Sequence, residues 1–244
     1  MTLKHITVPP EAMHCSTCMM GNVCLPTGMP SAEVERLDDL VKERIRIPKG
    51  ERLFSKGQNL DALYGLRLGS LKTQLEDVMG DVQVTGFFLP GEIVGLDGMF
   101  NGVHESNAVA LEDSEVCVVR LTDIDRVGMH IPTLQLQIRR LLSKEISRSH
   151  QVMVALGSMS SEQRLASFLL NLSQRLSALG YSSTEFVMRM SREEIGNYLG
   201  LTIETVSRLF SRFAREGLIK IHQRDVRILD LEAIKELAGQ PCNN

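Results

Sequence analysis

No run of about 18 uninterrupted apolar residues occurs in this 244-residue chain, so no membrane-spanning helix is expected. The first residues carry no basic stretch leading into an apolar one, which argues against a secretory leader and makes the cytoplasm the expected location. Five cysteines are too few for a disulfide scaffold, and cytosolic thiols stay reduced, so they call for another reading, as metal ligands or core residues. Catalytic signatures are missing as well. There is no P-loop of the phosphate-binding kind, no His-Glu-x-x-His and no serine elbow. The histidines (His5, His14, His104, His130, His150 and His222) are scattered. An enzyme is therefore not expected. Repeats and low-complexity stretches are absent too.

What remains is the composition of a globular protein, with 43% hydrophobic and 23% charged residues. The length allows one large domain or two modest ones. Charge is mildly asymmetric. Residues 1–150 hold 16 Lys and Arg against 20 Asp and Glu, whereas residues 151–244 hold 11 against 10. This balance neither requires nor forbids contact with nucleic acid, so local patches decide.

Along the chain, residues 1–30 show prolines, cysteines and no helical period, and read as a loop. Residues 31–45 put Val34, Leu37, Leu40 and Val41 on one face behind a possible Ser31 cap, predicting an amphipathic helix. From 47 to 122 short apolar runs alternate with glycine turns, as in an antiparallel barrel or sandwich. Residues 132–158 read as one long helix opened by Pro132, with Leu134, Ile138, Leu141, Leu142, Ile146, Val152, Met153 and Leu156 at helical spacing. Its length suggests a seam between two copies, with a buried interdomain helix as the alternative. Residues 160–244 read as several helices and a hairpin.

The sharpest pattern is SREEIGNYLGLTIETVSRLFSRF at 191–213. Ser191 with Glu194 forms a capping box. Gly196 is small where a second helix would cross closely, Gly200 suits a turn at positive φ, and Thr202 caps the second helix. Val206 and Leu209 supply its buried face. This order predicts a helix-turn-helix. Glu204, Ser207 and Arg208 then project together near the N-terminal end of the second helix, the end that enters a major groove. Arginine pairs with guanine O6 and N7, and glutamate accepts from the cytosine amino group. Arg192, Thr202, Arg212 and Arg215 are candidate phosphate contacts. Residues 218–229 read as a short hairpin around Gln223–Arg224–Asp225, a wing with Lys220, Arg224 and Arg227 on its edge.

Cys15, Cys18 and Cys24 are spaced C-x2-C-x5-C on a short segment. Three thiolates so placed can converge on one inorganic centre. Spacing alone allows zinc completed by His14, which is slightly favoured, or an iron–sulfur cluster with a remote cysteine. Cys117 lies in the apolar run VCVVRL, and Cys242 in a polar tail, where it reads as a bystander.

The order of these parts resembles the CRP/FNR family of bacterial transcription regulators over nearly the whole chain. LYGLRLGSLK (63–72) and TGFFLPGEIVGLDGM (85–99) resemble its β-roll, and IGNYLGLTIETVSR (195–208) resembles the FNR branch. The resemblance implies an α+β fold: an antiparallel β-roll (cupin or jelly-roll-like) sensor, a long dimerisation helix and a C-terminal winged helix-turn-helix. The domains would be a cysteine-rich segment at 1–30, the sensor at 31–131, the helix at 132–159 and the DNA-binding domain at 160–244. It also implies a [4Fe–4S] cluster on Cys15, Cys18, Cys24 and Cys117, loss of which to oxygen weakens the dimer.

On the same resemblance, a homodimer would pair through Leu141, Leu142, Ile146, Ser149 and Met153. It would bind double-stranded DNA at a TTGAT–four bases–ATCAA palindrome to control genes of anaerobic metabolism. FNR-type proteins tend to carry an acidic residue where Ser149 stands, so this dimer is expected to dissociate less easily on cluster loss. Met19 and Val23 would shield the cluster. The turn at Met79, Gly80 and Asp81 would touch RNA polymerase. Cyclic nucleotide binders carry Arg before Ser or Thr where this chain has Glu105–Ser106, so a cyclic nucleotide is not expected. The alternative is the same fold with structural zinc or a small effector.

Overall fold

A computed structural model of the chain describes residues 4–6, 14–21, 23–77 and 79–239. Two compact units divide it, Met1–Glu145 and Ile146–Asn244. In the first, β1 (Lys4–Ile6) is followed by α1 (Ser31–Arg36), β2 (Val41–Ile47), β3 (Arg52–Phe54), β4 (Ala62–Leu68), β5 (Leu71–Glu76) and β6 (Val82–Phe88). Then come β7 (Ile93–Val94), β8 (Asn107–Ala110), β9 (Ser114–Arg120) and α2 (Leu121–Gly128). The long α3 (Pro132–Ser158) has the bounds expected from sequence, and the division between the units falls inside it.

The strands form two antiparallel sheets, ordered β1-β2-β9-β4-β7 and β3-β8-β5-β6. One core lies on the face bearing Ile45, Ile47, Leu66, Val116 and Val118, together with Phe54, Leu71 and Phe88 of the other sheet. Strand residues alternate faces. The opposite face of the first sheet therefore presents Leu63, Cys117 and Val119, which join Leu37, Leu40, Ile124, Ile131, Leu134 and Ile138 in a second core. Each fully buried Leu, Ile or Phe contributes about 1.5–3 kcal/mol.

The helix expected over 31–45 is cut short. It ends at Arg36, its N-cap is Pro30 without a side-chain bond, and Asp38–Leu40 form a single 3-10 turn. Residues 41–47 are instead strand β2, because pairing with β1 on one side and β9 on the other outweighs a local helical period. Helix α2 also escaped the sequence reading.

Glu115 ties three strands together on the outer face. Its carboxylate pairs with Arg67 of β4 at 3.0 Å, and with Arg46 at 3.3 Å and Arg44 at 3.7 Å from β2. Arg44 and Glu115 are each only 8% exposed at the side chain.

The second unit continues with α4 (Ser161–Ala178), β10 (Glu185–Val187), α5 (Arg192–Leu199), α6 (Ile203–Arg215), β11 (Ile219–His222), β12 (Asp225–Ile228) and α7 (Leu231–Leu237). The three strands order as β10-β12-β11. Leu165, Leu169, Ile195, Val206, Phe210, Phe213 and Ile234 are buried in its core. The hairpin is the expected wing, with Gln223 at φ 54 in its turn. Helix α7 after it was not foreseen. No helix among the described residues is long and apolar enough to cross a membrane.

Removing one partner of a buried ion pair strands the other charge. Glu115→Ala is expected to cost about 3–5 kcal/mol in urea unfolding. Arg46→Ala, at a side chain 67% exposed, is expected to cost less than about 1 kcal/mol.

Candidate functional site

Two sites emerge, one in each unit. The first is built on β9. Cys117 stands between Arg44 of β2 and Gly65 of β4 in the antiparallel register. A Cβ on Gly65 would sit 3.5 Å from Cys24 Sγ and 3.9 Å from Cys117 Cβ. The bare glycine thus marks the spot where the loop cysteine meets the strand cysteine. Cys15, Cys24 and Cys117 all pack against the second core.

The loop is a chain of turns. Cys18 N–H donates to the Cys15 carbonyl at 3.3 Å, Gly21 N–H to Cys18 at 3.0 Å, and Cys24 N–H to Met20 at 2.9 Å. Asp38 fastens it. Its carboxylate accepts from the Ser16 N–H at 3.0 Å and hydroxyl at 2.6 Å, and meets His14 Nδ1 at 2.9 Å. His14, the candidate fourth zinc ligand, is thus engaged by Asp38.

The thiols resist ionising. Burial, then the neighbouring Cys24 and Cys117 with Asp38 and Cys18, push Cys15 up to about 12. Cys24 is pushed up to about 12, mainly by burial and against a hydrogen bond from the Leu25 backbone. Cys117 is raised by burial, with Arg44 opposing through its charge and a hydrogen bond. Among the described residues no three His, Cys, Asp or Glu groups stand close enough to hold a single metal ion.

Met19, expected to shield a cluster, is 83% exposed. Val23 is half-buried. Cys242 lies outside the described residues. Asp38 and Gly65 were missed by sequence reasoning. Neither belongs to a local motif, and only the tertiary fold brings them to the cysteines.

The second site is the outer face of α6. Ser191 and Glu194 form the expected capping box, at 3.1 and 2.7 Å. Gly200 adopts φ 64, and Thr202 accepts from Thr205 N–H at 3.2 Å. A Cβ on Gly196 would meet the Leu201 carbonyl oxygen at 2.7 Å, so only glycine permits this turn. Val206, Leu209, Phe210 and Phe213 are buried, leaving Glu204, Ser207, Arg208, Ser211, Arg212 and Arg215 exposed along one stripe. Arg208 donates to the Thr205 hydroxyl at 3.2 Å. The backbone N–H at the helix start, the Thr202 hydroxyl and the Arg208 charge hold Glu204 below the usual carboxylate range.

The candidate phosphate contacts differ among themselves. Arg215 is exposed. Arg212 is bound by Glu162 and, at 2.7 Å, by Glu216. Arg192 turns inward, its guanidinium 3.4 Å above the Phe210 ring, with Nη1 buried. Burial lowers its pKa to about 10.

On α3, Leu141 and Leu142 pack against the second core of the first unit. Farther along, Ile146 and Met153 are 57% and 59% exposed, and Ser149 is exposed between them. Met79, Gly80 and Asp81 sit in the β5–β6 turn, where the Asp77 carboxylate accepts from the N–H groups of Met79 at 2.8 Å and Asp81 at 3.0 Å. Met79 is 83% exposed.

Residues 163–237 match the family described as the Crp-like helix-turn-helix domain, and residues 44–130 the cyclic nucleotide-binding domain. The chain is 66% identical over 237 residues to the transcriptional regulatory protein btr of Bordetella pertussis, covering 97% of this chain and 98% of that one. It is 38% identical over 232 residues to the fumarate and nitrate reduction regulatory protein of Escherichia coli, covering 95% and 93%. The transcriptional activator protein FnrA of Stutzerimonas stutzeri is 41% identical, covering 93% of each. Among solved structures, FixK2 from Bradyrhizobium japonicum shares the fold, with a TM-score of 0.73 at 24% identity over 82% of this chain and 98% of that one.

Gly196→Ala forces a methyl against the Leu201 carbonyl. It is expected to cost about 1–3 kcal/mol in thermal unfolding. Asp38→Ala releases the 14–16 segment. Alkylation of Cys15 and Cys18 in the metal-free chain is then expected to speed up several-fold, read by mass spectrometry.

Proposed function

The chain belongs to the CRP/FNR family of DNA-binding transcription regulators, and from this premise we propose that it is an oxygen-responsive member holding a [4Fe–4S] cluster on Cys15, Cys18, Cys24 and Cys117. The observation that carries this reading is the approach of Cys24 to Cys117 across the gap left by Gly65, with Cys15 packed on the same core. The donor set fits. Crowded, buried thiols resist ionising beside one another, and a cationic iron centre reverses that preference. Structural zinc on the same thiols is the alternative. Several metal atoms bridged by sulfide suit a wider set of thiols.

When bound, the cluster would supply an oxygen-labile tie between the loop and the sheet. The chain's own residues do the rest. Asp38 holds the loop start, Arg44 braces Cys117, and the second core carries the cysteines and the first half of α3 together. Order in the loop thereby bears on the helix. Ile146, Ser149 and Met153 then pair two copies about a two-fold axis. Leu141 and Leu142 support that seam from the sensor side, since they already pack on its core.

Two α6 helices in such a dimer read a TTGAT–four bases–ATCAA palindrome, with Glu204, Ser207 and Arg208 at base edges. Arg215 and the Thr202 hydroxyl serve phosphates, and Arg212 joins them by exchanging its glutamates. Arg192 acts through Phe210, holding α5 against α6. The exposed Met79–Gly80–Asp81 turn faces RNA polymerase. Genes of anaerobic metabolism are the targets and the cytoplasm the location. Glu105 places a carboxylate beside Ser106, which disfavours an anionic cyclic nucleotide.

The decisive experiment is anaerobic purification with iron and sulfide analysis. About four of each per chain are expected, with a visible band that bleaches in air and is absent from Cys117→Ala. Zinc without sulfide would overturn the cluster. In a gel shift on the palindrome, Arg208→Ala is expected to lose about 1–3 kcal/mol of binding.

A further inference from the structure

Helix α3 ends where the chain turns into α4, and one side chain closes the corner. Arg164, in the first turn of α4, donates from Nε to the Met159 carbonyl at 3.1 Å and from Nη2 to the Leu156 carbonyl at 2.9 Å. Its Nη1 reaches the other way, to the Leu199 carbonyl at 3.0 Å. Leu156 lies in the last turn of α3, and Leu199 is the last residue of α5. Helix ends leave such carbonyls without an intrahelical partner, and their partial negative charge favours a cation. One guanidinium therefore satisfies the ends of two helices. A cation in the first turn of its own helix runs against that helix's dipole. Local preference does not place Arg164 there, whereas the three carbonyls do.

The fit around it is close. A Cβ on Gly200 would meet Leu156 Cδ2 at 3.0 Å and Arg164 Nη1 at 3.4 Å, so the turn before α6 rests on the end of α3. Along the chain only Met159 and Ser160 link α3 to α4. Ile146, Ser149 and Met153 belong to the same compact unit as α6. From them the path to the recognition helix runs one turn along α3 to Leu156, through the guanidinium to Leu199, and into the turn before α6.

We propose that Arg164 is a positioning residue for sequence recognition. It fixes the direction of α6 relative to α3, and so the half-site spacing that a dimer accepts. This rests on the palindrome reading given above. One added base pair moves a half-site by about 3.4 Å and turns it by roughly 35°. Recognition helices held in one direction cannot follow that change, whereas helices on a slack corner can. Lysine does not replace the group, because a point charge on a flexible stem lacks the planar fork that spans three carbonyls.

The test is a gel shift of the anaerobically purified full chain. The duplexes are TTGAT and ATCAA separated by three, four, five or six base pairs, and one duplex with a single half-site. Each lost base pair of recognition costs roughly tenfold or more, and a half-site out of register forfeits several. The wild type is expected to prefer four base pairs by about 100-fold. Arg164→Met and Arg164→Lys are expected to keep less than about 10-fold of that preference. Their binding to the single half-site is expected to match the wild type, because Glu204, Ser207 and Arg208 keep their places on α6.

A variant of either kind that keeps the wild-type preference overturns the proposal. So does one that weakens on every duplex alike, the mark of a residue needed only for folding. A wild type indifferent to spacing overturns the palindrome reading and this role together. If Arg164→Met fails to fold, Arg164→Lys, which keeps the charge, decides by the same measure.

Discussion

Strand β9 has to carry opposite characters on its two faces, and the sensor unit depends on its register. Val116 and Val118 close the core between the sheets, while Glu115, Cys117 and Val119 face the other way. A slip of one residue would put a carboxylate and a thiol into the apolar core. The Glu115 ion pairs with β2 and β4 oppose such a slip, because a buried charge has no low-energy place except beside its arginines. The same pairs hold Arg44 at Cys117. One strand thus sets the position of the thiol and the charge next to it.

The winged helix was the most legible part of the sequence, since its determinants are local. Ser191 and Glu194 bond within one turn, Gly200 takes its own left-handed conformation, and Thr202 caps the helix it precedes. Gly196 was legible for the same reason, as its close neighbour is only a few residues on. The long helix was legible because its pattern runs for several turns.

Elsewhere the information is not local. Residues 41–47 hold a helical period as a string, but their partners on β1 and β9 make them a strand. Asp38 lies 22 residues from Ser16 in sequence, and only the fold brings them together. Gly65 lies unmarked inside the stretch LYGLRLGSLK, and only strand pairing shows it to stand opposite Cys117. Arg192 opens α5 and reads in the string as a phosphate contact, whereas in the fold Phe210 of the next helix gives its plane a ring to lie against. Side-chain direction, unlike spacing, cannot be taken from a string of letters when the partner is distant.

The Asp97 carboxylate accepts hydrogen bonds from Glu105 and Ser106, only eight and nine residues along the chain. A group on so short a tether faces its donors at an effective concentration in the millimolar range or above. It also cannot diffuse away. The turn between β7 and β8 therefore keeps its shape at any dilution, because its clasp is carried by the same stretch of chain.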